Sequence, residues 1–159
     1  PGVETTTGPL GQGIANAVGM ALSQKLLAAR SGRPVLVRGR VFGICSDGDV
    51  MEGVASEASS LAGHLGLDNL VFFYDGNRIT IDGGTDLAFS EDVAARYQAY
   101  GWAVWHVDGH DLADVRRALA EATALEGKPK LIVARTHIGI GAPNKDSTTK
   151  AHGGPLGKA

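Results

Sequence analysis

The sequence predicts an α/β domain, a mostly parallel sheet with helices on both faces. Three observations predict it. Apolar runs short enough to be buried strands alternate with longer segments whose apolar residues recur at helical spacing. The segments between successive runs are long enough to carry a helix back for a parallel crossover. The chain has 159 residues, 43% hydrophobic and 20% charged, the size and balance of one globular domain with a real core. No repeat, low-complexity tract or linker divides it, so residues 1–159 read as a single domain.

The glycine-rich opening Glu4–Gly13 feeds a helix whose stripe is Ile14, Ala17, Val18, Ala21 and Leu22. That helix runs to Arg30, and Gly32 followed by Pro34 stops it. Val41–Cys45 is a buried strand, broken by Ser46-Asp47-Gly48-Asp49. A second helix is predicted from Val50 to Leu65, with Val54, Ala58, Leu61 and Ala62 on its apolar stripe. Leu70–Tyr74 is the next strand, ended by Asp75-Gly76-Asn77, and Ile79 and Ile81 lead into the turn Asp82-Gly83-Gly84. Ser90 is read as the N-cap of a helix to about Tyr100, with Glu91 and Asp92 in its first turn. Trp102–Val107 is a strand, Asp111 caps a helix to about Leu125, and Leu131–Ala134 is the last strand. From His137 onward glycine, proline and polar residues predict loop.

Composition narrows the function. Fifteen basic against 17 acidic residues give a formal net charge of −2 with no run of either sign, so no nucleic-acid surface is expected. The single cysteine, Cys45, excludes an internal disulfide framework and a multi-cysteine zinc site. No apolar stretch approaches the roughly 18 residues of a membrane span, and no signal peptide opens the chain, so a soluble cytoplasmic setting is the expectation. Glycine is abundant, 23 residues without a period, which suggests close backbone approaches. Pro1 at the start and the glycine-rich end Gly153-Gly154-Pro155-Leu156-Gly157 suggest a piece of a longer protein.

In open α/β sheets ligands bind beyond the carboxyl ends of the strands. The residues there are Ser46-Asp47-Gly48, Asp75-Gly76-Asn77 and Thr136-His137-Ile138-Gly139, with the Gly8–Gly13 loop able to join the same crevice. Asp47 and Asn77 offer hard oxygen donors that suit Mg²⁺ or Ca²⁺ rather than zinc. Gly48 would let a phosphate approach the start of the following helix. The residue types alone favour a purely structural pair, with Asp47 capping the helix and Asn77 making a turn. Glycine order rules against a dinucleotide fingerprint, and no phosphate-binding P-loop occurs. His64 and His106 read as packing or surface residues, and His110 belongs to a turn and cap. His137 and His152 lie in the terminal loop, where function is more at home. No nucleophile elbow, Ser-His-Asp arrangement or HExxH pattern occurs, and Cys45 reads as a packed strand residue.

Four stretches together resemble the transketolase family, specifically its thiamine diphosphate-binding N-terminal region. They are Thr6-Thr7-Gly8-Pro9-Leu10-Gly11-Gln12-Gly13; Ser46-Asp47-Gly48 with Glu52-Gly53 and Glu57-Ala58; Tyr74-Asp75-Gly76-Asn77-Arg78-Ile79-Thr80-Ile81-Asp82-Gly83; and Thr136-His137-Ile138-Gly139 leading to His152-Gly153-Gly154-Pro155-Leu156-Gly157. The resemblance covers essentially the whole chain and implies the diphosphate-binding domain fold, incomplete here. It implies Asp47, the Asn77 side chain and the Ile79 carbonyl as ligands of Mg²⁺, or of Ca²⁺ in its place. The metal would hold the thiamine diphosphate tail, with Gly48 assisting. Gly8 and Leu10 would lie against the cofactor rings, Ile138 would pack on the thiazolium, and His152 would help bind and polarise substrate. Glu52 and Glu57 match positions in an acidic network at a dimer contact, or else form a solvated helix face.

The activity so implied is transfer of a two-carbon ketol unit from a ketose phosphate to an aldose phosphate. The upstream histidines of the substrate channel, the pyrimidine-binding domain with its activating glutamate, and the C-terminal domain are not in this chain. The chain alone is therefore expected to be inactive, its parent a homodimer. One half of a split enzyme and a dihydroxyacetone synthase are the alternatives. Two departures carry expectations of their own. Ser46 replaces the family's glycine and should crowd the backbone, and the Asp49 carboxylate should be mildly unfavourable near the diphosphate unless it faces solvent.

Overall fold

The computed structural model describes residues 2–33, 35 and 38–155. Pro34 of the first helix-stop signal and Leu156-Gly157 of the closing motif lie outside the described residues. In chain order the elements are α1 (Gln12–Ser31), β1 (Val41–Ser46), α2 (Asp47–Met51), α3 (Gly53–His64), β2 (Leu70–Gly76), α4 (Val93–Ala99), β3 (Ala103–Asp108), α5 (Leu112–Ala124) and β4 (Lys130–Arg135). Short 3₁₀ turns occupy Thr85–Leu87 and Thr149–Ala151.

The four strands form one parallel sheet in the order β1-β2-β4-β3. Side chains alternate across it, as period-2 geometry demands. Val41, Cys45, Phe72, Tyr74 and Leu131 turn to one face and meet Ile14, Val18 and Ala21 of α1, Ala55 and Ala62 of α3, and Val93 and Tyr97 of α4. Val71, Ile132, Ala134 and Val107 turn to the other and meet Ala118 and Ala122 of α5. Helices therefore cover both faces, as the alternating pattern predicts. Because α5 covers only one side of its face, Phe42 and Ile44 of β1 stay 54% and 81% exposed. No helix among the described residues is long and apolar enough to cross a membrane.

Three boundaries differ from expectation. The helix predicted from Val50 to Leu65 is two pieces, interrupted at Glu52, whose ψ of 139° is extended. The last helix of the first face begins at Val93, capped by Asp92 accepting from Ala95 N–H at 2.9 Å, not by Ser90. Trp102 precedes β3 rather than opening it: the strand is registered by Ala103 N–H donating to the Pro129 carbonyl at 2.9 Å. Asp111, by contrast, caps α5 as predicted, accepting from the N–H groups of Ala113 and Asp114.

At the amino ends of the strands lies an ionic ledge. Asp68 pairs with the Lys25 ammonium and accepts from Gly127 N–H at 2.9 Å, while buried Lys130 donates to the Asp68 carbonyl. The opposite, carboxyl ends converge on one place. Ser46 is level with Asp75, and Gly76 with Arg135, so three strand tips stand side by side.

Candidate functional site

Asp47 follows the tip of β1 and is 2% exposed. Its carboxylate turns toward β2 instead of capping α2, accepting from the Tyr74 hydroxyl and from Arg78 N–H at 3.1 Å. Arg78 takes a left-handed φ of 61°, unusual for a side chain of its size, where the chain leaving β2 presents this N–H to Asp47. Among the described residues no lysine, arginine or histidine forms an ion pair with Asp47. Burial pushes the Asp47 carboxyl above its ordinary range, while the bonds from Tyr74 and Arg78 pull it back. Burial and the adjoining Asp47 push the Tyr74 phenol up in turn, so it stays a donor.

Asn77 sits one residue before Arg78, on the same turn. Its amide nitrogen donates to Asp75 Oδ2 at 3.1 Å, and its Oδ1 accepts from Ile79 N–H at 2.8 Å. Asp75 is itself held by the Thr136 hydroxyl from the end of β4. A carboxylate and an amide oxygen are hard donors, the chemistry Mg²⁺ and Ca²⁺ prefer. Among the described residues no group of three or more His, Cys, Asp or Glu could hold a metal ion. A cleft of about 530 Å³ opens beside Asp47 and Tyr74, with Arg78, His106 and Arg135 on its walls.

The glycine-rich loop reaches this place from the other side. A Cβ on Gly48 would lie 3.2 Å from Leu10 Cδ1, so the Leu10 side chain rests directly on Gly48. Gly11 has φ 76° and needs glycine on two counts, since a Cβ there would also stand 2.7 Å from Glu52 Cβ. That contact falls at the residue interrupting the predicted helix. At five residues α2 is too short to build a strong dipole, so the phosphate-binding helix start expected after Gly48 is a single turn.

The remaining expected residues are more scattered. Gly8 is exposed with open space around it. Ile138 is half-buried on the loop after β4, and His152 is exposed beyond the Thr149–Ala151 turn. Among the described residues neither makes a side-chain hydrogen bond to the Asp47 cluster; Thr136, at the root of their loop, makes the tie instead. His110 does more than turn the chain: its Nε2 accepts from His137 N–H at 2.9 Å and so holds that loop against the turn after β3. His64 and His106 are exposed, Glu52 and Glu57 lie on the exposed side of the α2–α3 region, and Cys45 is buried with its thiol pushed up by burial. Reasoning from the sequence missed Tyr74, Asp75 and Thr136 as supports. Period-2 alternation from the buried Phe72 placed Tyr74 on the Asp47 side and was the available signal.

The two departures resolve structurally. The Ser46 hydroxyl donates to the Asp75 carbonyl at 3.0 Å, cross-tying the tips of β1 and β2 rather than crowding them. Asp49 is half-buried, with one oxygen accepting from Ser46 N–H at 3.1 Å and the other from Gly11 N–H at 3.0 Å.

Comparison with known proteins points to one family. The family described as transketolase, thiamine diphosphate binding domain, matches residues 1–159. A transketolase of Geobacillus stearothermophilus is 54% identical over 160 residues, covering 99% of this chain and 24% of the relative. Transketolase 2 of Xanthobacter flavus is 56% identical over 160 residues, covering 99% of this chain and 23% of the relative. The solved transketolase from Leishmania mexicana superposes with a TM-score of 0.92 at 52% identity, over 99% of this chain and 24% of that one. The chain thus spans about a quarter of the length of the relatives it matches.

Proposed function

We propose, since this chain belongs to the transketolase family through its thiamine diphosphate-binding domain, that it holds the diphosphate end of that cofactor through a divalent cation at Asp47. Asp47, Asn77 and the Ile79 carbonyl would ligate Mg²⁺, with Gly48 beside the diphosphate. Gly8 and Leu10 would line the rings, Ile138 would pack on the thiazolium, and His152 would face substrate. Residues 1–159 are read as one domain, part of the N-terminal cofactor-binding unit of a longer, homodimeric, cytoplasmic enzyme. Glu52 and Glu57 would then lie at the contact between copies. When bound, thiamine diphosphate supplies the electron sink that lets the bond beside a ketose carbonyl break. The reaction proposed for the whole protein is ketol transfer from a ketose phosphate to an aldose phosphate.

What the chain's own residues do is binding and orientation. Tyr74 and the Arg78 N–H fix the Asp47 carboxylate in one pose. Asp75, braced by Thr136, fixes which way the Asn77 amide faces. Both donors are thereby pre-set, so cation capture costs little side-chain entropy. Leu10 against Gly48 keeps the ring-facing loop beside the metal turn.

The single observation that carries this reading is a buried carboxylate without an ion-pair partner among the described residues, hydrogen-bonded to the turn after β2 that carries an oriented amide. Calorimetric titration with thiamine diphosphate is expected to show binding that requires Mg²⁺ and is abolished in Asp47→Ala. Equal binding by parent and variant would remove Asp47 from the ligand set. The 159-residue chain by itself is expected to show no ketol transfer with sugar phosphates, and measurable transfer would contradict that part.

A further inference from the structure

We propose that Asp49 is a positioning residue, a clip that holds the glycine-rich loop onto the cation-binding turn and so sets the distance between ring contacts and diphosphate contacts. The inference rests on the reading above and adds a residue to it. A carboxylate this close to a bound diphosphate would ordinarily repel it, and the structure shows what both of its oxygens do instead. Oδ2 closes the α2 turn on Ser46 N–H at 3.1 Å, and Oδ1 reaches across to Gly11 N–H at 3.0 Å. The first bond is local, but the second joins segments far apart in sequence. Gly11 is buried and left-handed, pressed on Glu52, so its N–H has a fixed direction and one acceptor to meet. Leu10, immediately before it, rests on Gly48, immediately after Asp47. The loop and the turn are therefore joined by one charge-assisted bond and one apolar contact, side by side.

Removing the clip and removing the charge have opposite consequences, which makes the idea testable. If Asp49 acted on the diphosphate only through its charge, neutralising it would tighten binding. If it acts as a clip, freeing Gly11 lets Gly8 and Leu10 drift from the rings, and affinity falls. The experiment compares Asp49→Ala and Asp49→Asn with the parent in the intact protein, using two probes in Mg²⁺: thiamine diphosphate, and inorganic diphosphate, which lacks the rings. Thiamine diphosphate affinity is expected to fall about tenfold or more in Asp49→Ala, the range for groups that orient ligands from behind. Inorganic diphosphate affinity is expected to stay the same or tighten. Asp49→Asn keeps one acceptor and is expected to fall between the two.

Amide hydrogen exchange supplies a readout independent of binding. In Asp49→Ala without ligand, residues 5–11 are expected to exchange faster while α5 is unchanged. Unchanged or tighter thiamine diphosphate binding overturns the proposal, as does an equal loss for both probes or an unaltered exchange rate at Gly11. A parent protein that binds thiamine diphosphate while the variant matches it sinks the clip alone. A parent that binds neither probe sinks the cofactor reading with it.

Discussion

Replacing Asp47 by asparagine separates what the site costs the fold from what it does for a ligand. The parent carboxylate is 2% exposed and is met by two donors, the Tyr74 hydroxyl and Arg78 N–H. Burying a charge costs several kcal/mol after relaxation, and two hydrogen bonds to a charged group return about 1.5–3 kcal/mol each, so the two roughly cancel. Asparagine has the same shape. Its oxygen can accept from Arg78 and its NH₂ can donate to the Tyr74 oxygen, with no charge to desolvate. In buffer with a chelator, Asp47→Asn is therefore expected to match the parent within about 1 kcal/mol or to exceed it. Asp47→Ala orphans the buried Tyr74 hydroxyl and is expected to lose about 1–3 kcal/mol. For a chain of this size that is about 2–12 °C in Tm. Adding Mg²⁺ and thiamine diphosphate at about 100 times Kd should raise the parent by about 2.7 kcal/mol and leave both variants where they were. Thermal melts with and without ligand read out both halves. A melt in which Asp47→Asn falls to the level of Asp47→Ala without ligand would refute the reasoning, since the charge itself would then be holding the turn together.

Two further outcomes are expected of the fold. Gly63→Ala in α3 drives a Cβ to 1.7 Å from the Tyr100 carbonyl oxygen, so the overpacking cost of about 3 kcal/mol exceeds any helix gain; Gly19→Ala in α1, with nothing within 4 Å, stabilises by about 0.5–1 kcal/mol. Urea denaturation should show opposite signs, and matching signs would mean the Gly63 contact is not tight. At the ionic ledge, burial pushes Asp68 up, but the Lys25 ammonium, Gly127 N–H and Lys130 outweigh it and hold the carboxyl below its ordinary value. A lowered acid contributes stability above its unfolded pKa, about 3.9, and loses it as pH falls through the folded one. Asp68→Asn should accordingly be destabilised near neutral pH and converge on the parent in acid; a gap that widens in acid would contradict the assignment.

How much of this was legible depended on whether a feature was written locally. Apolar runs and helical stripes announced every strand and the main helices, since burial in a parallel sheet leaves a signal in each segment by itself. Asp47 and Asn77 were visible as residues just beyond strand ends. The break at Glu52 was not, because it falls where the Gly11 backbone packs from a loop distant in sequence. Nor could local pattern choose among Ser90, Glu91 and Asp92 as a cap. That choice goes with the burial of Val93 and the 2.9 Å pairing of Glu91 with Arg96, whose guanidinium also donates to the Val50 carbonyl at 2.8 Å. Asp49 looked like an electrostatic liability in one dimension because its second partner, Gly11, is a neighbour only in three.

The sheet keeps its two ends apart: Asp68, Lys25 and Lys130 gather at one, Asp47, Asn77 and Thr136 at the other. A protein engineer can exploit that polarity. Substitutions at the first end retune heat and acid tolerance from a full strand length away, whereas libraries aimed at new chemistry belong at the second, where each added variation also loosens a brace.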